Sequence, residues 1–146
     1  MLKNVDPLIS AELLYVLMLM GHGDDIVICD VNHPAFTIAK ETTYGKLIDL
    51  AGCTIPVATK AILSLMPLDT FVEQPVMRMR MVGDPDGVVP IFAKMQKVLD
   101  ASQGRAVSMG AYDRSDFYAA AKKSFAIVRT SDGGPYGCFI LRKGVI

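Results

Sequence analysis

Residues 21–30 read Gly-His-Gly-Asp-Asp-Ile-Val-Ile-Cys-Asp. An apolar segment of helical character runs into Gly21, a common helix stop. A polar, glycine-flanked turn follows. Four residues of β character, Ile26 to Cys29, then end in a carboxylate, Asp30. A buried strand that closes on a charge is unusual, because a buried carboxylate costs free energy unless it is paired. In open α/β sheets, ligands bind beyond the carboxyl ends of strands. The expectation is therefore that His22 and Asp30 face one pocket from two sides of the turn. The rest of the chain then supplies scaffold and walls.

Read in order, Ser10 caps a helix over residues 11–20, with Glu12 in its first turn complementing the helix dipole. The first strand is Ile26 to Cys29. Residues 31–46 lack clear periodicity and read as a long loop, a type of segment that is often functional. Leu47 to Leu50 is a short strand. Thr54 caps a helix with Pro56 in its first turn, reaching about Met66, and Pro67 stops it. Val76 to Val82 alternates, with Met77, Met79 and Met81 on one face and Arg78 and Arg80 on the other. After the turn Asp84-Pro85-Asp86-Gly87, an amphipathic helix covers residues 89–101. Ala106 to Met109 is a further short strand. Asp113 or Ser115 caps a helix through Lys123. Ala126 to Thr130 and Tyr136 to Leu141 are the last strands, joined by a tight turn and therefore antiparallel. Strands alternate with helices throughout, which predicts a layered α/β domain with a mixed sheet. The length fits one domain over residues 1–146.

Composition narrows the function classes. Hydrophobic residues make up 51% and charged residues 21%, enough for a well-packed core. The formal net charge is zero and no basic run appears, which argues against nucleic acid as a partner. Near-zero charge and nine Met favour self-association, so a homo-oligomer is expected. The apolar run Leu13 to Met20 is too short to span a bilayer, and no signal-peptide cleavage site follows it. Cys29, Cys53 and Cys138 are odd in number and widely spaced, without a CxxC. This fits a reducing compartment, and a cytoplasmic protein is expected.

Among residues that carry chemistry, His22 sits where the backbone bends freely, and loop histidines are frequent acid–base groups. Its structural alternative is a surface or capping histidine. Asp30 either binds a ligand or caps the following turn. His33, before Pro34, reads as an exposed loop residue. His22, Asp24, Asp25, Asp30 and His33 lack HxH or HxxxH spacing, so no metal site is expected. Cys29 lies within an apolar strand and reads as an inert core residue. Arg114 and Tyr118 are four apart on a helix and share a face. Tyr136 opens the last strand. Ordinary packing or solvation accounts for these three from spacing alone. No P-loop, GxGxxG or nucleophile elbow is present.

The ordered set of motifs is more specific than any single piece. It comprises Leu8-Ile9-Ser10-Ala11-Glu12-Leu13-Leu14, Met20-Gly21-His22-Gly23-Asp24-Asp25-Ile26, Asp30 with Pro34-Ala35, and Pro67-Leu68-Asp69-Thr70-Phe71-Val72-Glu73. It continues in Phe117-Tyr118, Lys123-Ser124-Phe125-Ala126-Ile127-Val128, Tyr136-Gly137 and Leu141-Arg142-Lys143-Gly144-Val145. Over nearly its whole length the chain resembles the L-fucose mutarotase and D-ribose pyranase family, most closely its fucose branch. The resemblance implies three α/β/α layers around a mostly parallel sheet. It implies interconversion of the α and β anomers of free monosaccharides without a cofactor. It also implies ring-shaped assemblies, often decamers, with sites near subunit contacts. By resemblance His22 is the acid–base histidine and Tyr118 a second acid–base or hydroxyl-binding residue. Asp30 holds sugar hydroxyls, and Asp69, Met79, Arg114 and Tyr136 match substrate-contacting positions, with Gly137 beside them.

Two departures bear on the sugar accepted. Where the family pattern reads Tyr-Gly-Asn, this chain reads Tyr136-Gly137-Cys138, which removes an amide hydrogen-bonding group. The family's Arg-Ala-Asp-Gly is absent from residues 37–46, where only Tyr44-Gly45-Lys46 stands nearby. The residue types suit the chemistry. Opening a pyranose needs a base for the anomeric hydroxyl proton and an acid for the ring oxygen, and a His and a Tyr on opposite sides supply both. General acid–base groups typically contribute ~10²–10⁴-fold each. A carboxylate and an Arg bind vicinal hydroxyls, and Met79 offers an apolar surface to a sugar's C–H face or deoxy methyl. The competing reading is a binding or sensing protein that keeps the pocket without turnover.

Overall fold

The structure, a computed structural model, describes residues 2–146. Among these residues six strands form one sheet. They are β1 (Asp25–Cys29), β2 (Leu47–Leu50), β3 (Val76–Met79), β4 (Met109–Tyr112), β5 (Ala126–Thr130) and β6 (Cys138–Arg142). Their order is β2-β5-β1-β6-β3-β4. Strand β1 is parallel to β5, β2 to β5, and β3 to β4, while β6 is antiparallel to both its neighbours. One reversed strand in an otherwise parallel sheet is the mixed, mostly parallel arrangement expected.

Alternation along the strands feeds two cores. Ile26 and Ile28 of β1, Val128 of β5, and Phe139 and Leu141 of β6 belong to one. Val27, Cys29, Ile127, Cys138 and Ile140 belong to the other. Helices α1 (Ala11–Leu19), α3 (Ile55–Leu63) and α4 (Pro90–Gln103) cover the first face. Helices α2 (Ala35–Ala39) and α5 (Arg114–Lys123) cover the second. These are the three α/β/α layers. The central strand β1 is buried on both faces, which explains its continuous apolar run. Burying each such aliphatic side chain contributes about 1.5–3 kcal/mol.

Local chemistry sets the ends of the elements. Ser10 caps α1, its Oγ accepting the Leu13 N–H at 3.1 Å. At the other end of α1, Lys143 donates from Nζ to the carbonyls of Leu17 and Met20. Thr54 and Asp113 occupy the N-cap positions of α3 and α5, but neither side chain makes a capping bond. Instead Asp132 Oδ2 accepts the Ile55 N–H at 3.3 Å, and Asp113 pairs with Arg80 at 3.3 Å.

Several boundaries differ from the sequence reading. The expected loop 31–46 contains α2. Helix α3 ends at Leu63, and its last turn runs on only through bonds such as Met66 N–H to Ile62 O. Strand β3 stops at Met79, because Met81 turns back to bridge Asp84 and packs on the opposite core. The strand expected at 106–109 lies at Met109–Tyr112. Val107 is held by α4 instead: its N–H donates to Asp100 Oδ1 and its carbonyl accepts from Gln96 Nε2. The final strand begins at Cys138, since Tyr136 adopts a left-handed φ of 58° that no strand accommodates. Strands β5 and β6 do run in opposite directions, yet β1 lies between them. Their connection is a strap over the carboxyl end of β1 rather than a hairpin turn. The Asp30 N–H donates to Gly137 O at 2.7 Å, and the Val31 N–H donates to Asp132 O at 3.0 Å.

Candidate functional site

That strap builds a cleft of about 250 Å³ at the carboxyl end of β1. Asp30 forms its floor, 3% exposed. Its Oδ1 accepts N–H bonds from Asn32 at 2.8 Å and His33 at 3.1 Å, and its Oδ2 accepts the Gly137 N–H at 2.9 Å. The Cys138 thiol lies 3.8 Å from the same Oδ2. Asp30 therefore caps the turn that follows it and also faces the cleft. Burial raises its pKa, and the three N–H donors and the thiol oppose that rise. Gly137 fits because any Cβ there would press on Ile55 and come within 3.2 Å of Asp30.

The walls come from three elements. Helix α5 brings Arg114 and Tyr118 to the cleft, on the shared face their spacing implies. Strand β3 brings Met79, and the start of β6 brings Cys138. Tyr136 closes the mouth: its hydroxyl oxygen accepts the Val82 N–H at 3.0 Å, which ties the strap to the loop after β3. The hydroxyl proton is left available to another acceptor. Burial pushes the thiols of Cys29 and Cys138 far up, so both stay protonated. All three cysteines are free and buried.

His33 differs from its expected place. It is buried and borders the cleft, not exposed on a loop. Its ring packs edge-on against Tyr118 at 5.3 Å and Phe117 at 5.9 Å. Its Nδ1 stands 3.4 Å from Cys138 Sγ, and its Nε2 has no hydrogen-bond partner among the described residues. Burial lowers its pKa to about 4, so it is neutral at pH 7. The signal in the sequence was the Asp30-to-His33 spacing: a carboxylate accepting the N–H three residues on folds that residue back beneath it. Asn32, Val82 and Pro135 at the rim carried no such signal.

His22 also differs. It precedes β1, at the strand's amino end, while Asp30 follows the carboxyl end. A five-residue strand separates them by roughly 17 Å at ~3.3 Å per residue. The expected single pocket with both residues is therefore not formed within one chain. His22 is exposed, its Nε2 lies 3.2 Å from Asp69 Oδ1, and its ring meets Phe71 edge-on at 5.2 Å. Asp69 is buried and also accepts the Phe71 N–H at 2.9 Å. That backbone bond and the imidazole hold its pKa below the usual carboxylate value. The structure thus brings Asp30, Met79, Arg114, Tyr118, Tyr136, Gly137 and Cys138 together, and pairs His22 with Asp69 elsewhere. The altered stretch 37–46 does not border the cleft; Tyr44 instead donates its hydroxyl to Glu12 on α1 at 2.8 Å. Among the described residues no cluster of three or more His, Cys, Asp or Glu is placed to hold a metal ion. No helix among them is long and apolar enough to cross a membrane.

A family model matches residues 3–146. The chain belongs to the RbsD / FucU transport protein family. It is 41% identical to the human fucose mutarotase, over 99% of this chain and 94% of that protein. It is 33% identical to an L-fucose mutarotase of Haemophilus influenzae, over 99% and 97%. The crystal structure of the fucose mutarotase of Streptococcus pneumoniae in complex with L-fucose matches it with a TM-score of 0.89, at 36% identity and 99% coverage of both chains. In this RbsD / FucU member, full-length coverage extends to both ends of β1, the cleft and the His22 turn alike.

Proposed function

We propose that this protein is a monosaccharide mutarotase that interconverts the α and β anomers of L-fucose or a closely related sugar. The observation that carries the reading is the cleft itself: a buried carboxylate facing Arg114, Tyr118 and Tyr136, in a chain 41% identical to a fucose mutarotase. Asp30 and Arg114 bind neighbouring hydroxyls. Tyr118 exchanges a proton at one side of the pyranose. A base removes the anomeric hydroxyl proton while an acid protonates the ring oxygen, and the C1–O5 bond opens. The free aldehyde turns and the ring closes on its other face, returning both protons.

The second acid–base group is His22, supplied by another copy of the chain. Support comes from its setting: exposed Phe71 packs on its ring, Met18 and Leu19 are exposed at the end of the helix just before it, and Val82 is 58% exposed at the cleft rim. Apolar surface at both places suits contact between copies. A closed homo-oligomer built from this contact, one domain per chain, gives each cleft a neighbour's His22. Asp69 orients that imidazole through its 3.2 Å contact. We place the protein in the cytoplasm, in keeping with three free thiols.

Magnetisation exchange between the α and β anomeric protons of L-fucose, with and without protein, tests the reading. Protein-dependent exchange is expected. Sugar-dependent thermal stabilisation with exchange no faster than buffer would instead mark a binding protein, a reading favoured by the distance between His22 and the cleft within one chain.

A further inference from the structure

We propose that Cys138, with Met79 beside it, makes the deep end of the cleft select a sugar carbon that bears a methyl group rather than a hydroxymethyl. This rests on reading the cleft as the sugar site. Depth separates the lining residues into two sets. Asp30, His33, Met79 and Cys138 are 3%, 6%, 4% and 4% exposed, whereas Asn32, Arg114 and Val82 lie at the open rim. Apart from the His33 Nε2, which is buried and without a partner among the described residues, hydrogen bonding at the deep end is nearly used up internally. Three backbone N–H groups occupy Asp30, leaving about one of its four acceptor positions, which is contested only by the long, weak 3.8 Å contact from the Cys138 thiol. The Cys138 thiol stands between that carboxylate and the imidazole, 3.4 Å from His33 Nδ1. Met79 lies on the neighbouring strand, one register step beyond the Arg78–Phe139 pair, and its thioether is a weak acceptor only.

A sugar can thus place one hydroxyl on Asp30, but a second polar group pressed inward meets the Cys138 thiol and the Met79 side chain. That group leaves water and gains little in return. A methyl group in the same place loses nothing and meets polarizable sulfur. Burial keeps the Cys138 thiol protonated, so it offers no anionic acceptor. Rejection of an added hydroxyl by such a lining is roughly 10–100-fold, the ordinary limit for an apolar pocket.

The test compares L-fucose with L-galactose, which differs only by a hydroxyl on C6, by calorimetric binding and by anomer exchange. Wild type is expected to bind L-fucose roughly 10–100-fold more tightly. Cys138→Asn places an amide at the deep end and should narrow the gap by strengthening L-galactose binding. Cys138→Ser should narrow it less. Melting curves show that each variant is folded; if one is not, the other variant and the wild-type ratio decide. Equal binding of the two sugars by wild type, or a gap unchanged in folded variants, overturns the proposal. Binding of neither sugar overturns both it and the sugar-site reading. A gap in binding without any exchange keeps this proposal and rejects the mutarotase reading.

Discussion

The two ends of β1 are built to opposite plans. At the carboxyl end, Asp30 is buried, held by three backbone N–H groups and roofed by the strap that carries Tyr136 and Gly137. At the amino end, His22 is exposed, with Asp69 as its one hydrogen-bonding side-chain partner and the exposed Phe71 ring packed against it. The polar groups of the first end are fixed by bonds within the chain, the preorganisation that recognition of a ligand requires. The second presents an imidazole, paired with Asp69, that lies away from the cleft of its own chain. The difference teaches that conformational order and chemical role need not coincide. In the proposed reading the cleft binds the sugar, and the exposed turn delivers the proton to a neighbouring copy.

Breaking the delivering end should have the largest effect. His22→Ala is expected to slow L-fucose anomer exchange ~10²-fold or more while the dissociation constant changes little. Wild-type exchange in that variant would make the histidine structural and leave Tyr118 as the principal acid–base group.

The receiving end should show itself in pH dependence. His33 falls from an ordinary 6.5 to about 4 because burial disfavours its cation. Between these values the unfolded chain takes up a proton that the folded chain does not, so stability is present above pH 6.5 and is lost as pH falls. The loss amounts to about 3 kcal/mol by pH 4. The raised Asp30 works in the opposite sense, because the folded chain protonates it first on acidification. Denaturant midpoints of wild type and His33→Gln across this range separate the two. The variant should lack the histidine's share of the slope, and parallel curves would mean that His33 is charged when folded.

Asp30→Asn sharpens the comparison by a smaller step. It turns an acceptor oxygen into a donor beside the Gly137 N–H and should weaken L-fucose binding by roughly 1–3 kcal/mol. Its effect on exchange should appear chiefly as a higher KM. A lower kcat at unchanged affinity would instead give Asp30 a role in proton transfer. The smallest effect belongs to the amino end's scaffold. Lys143→Met removes the Nζ bonds to the Leu17 and Met20 carbonyls and should cost about 1 kcal/mol in thermal stability.

Much of this was legible in the sequence for physical reasons. The runs 26–29 and 126–128 are apolar on both faces, which central strands of a layered sheet require. Ser10 marks the start of α1 by local chemistry, whereas α3 ends at Leu63, ahead of the stop at Pro67. Arg114 and Tyr118 share a face by helical spacing. What stayed hidden depends on tertiary contacts. No local pattern puts β1 between β5 and β6, yet that placement turns a presumed hairpin turn into the roof over Asp30. His33 looked like a loop residue because its burial comes from Phe117 and Tyr118, more than 80 positions later. His22 and Asp30 look adjacent in sequence, but the strand between them holds them apart.

The central claim is that each working site joins the cleft of one copy to the His22 of another, and subunit mixing tests it most directly. His22→Ala and Tyr118→Phe assemblies, each inactive alone, are dissociated, mixed in equal amounts and reassembled, and L-fucose anomer exchange is measured. Random reassembly pairs an intact cleft with an intact neighbouring His22 at about a quarter of the contacts, so exchange should return to about a quarter of wild type. Mixed assemblies, verified by native mass spectrometry, that stay as inactive as their parents would contradict it.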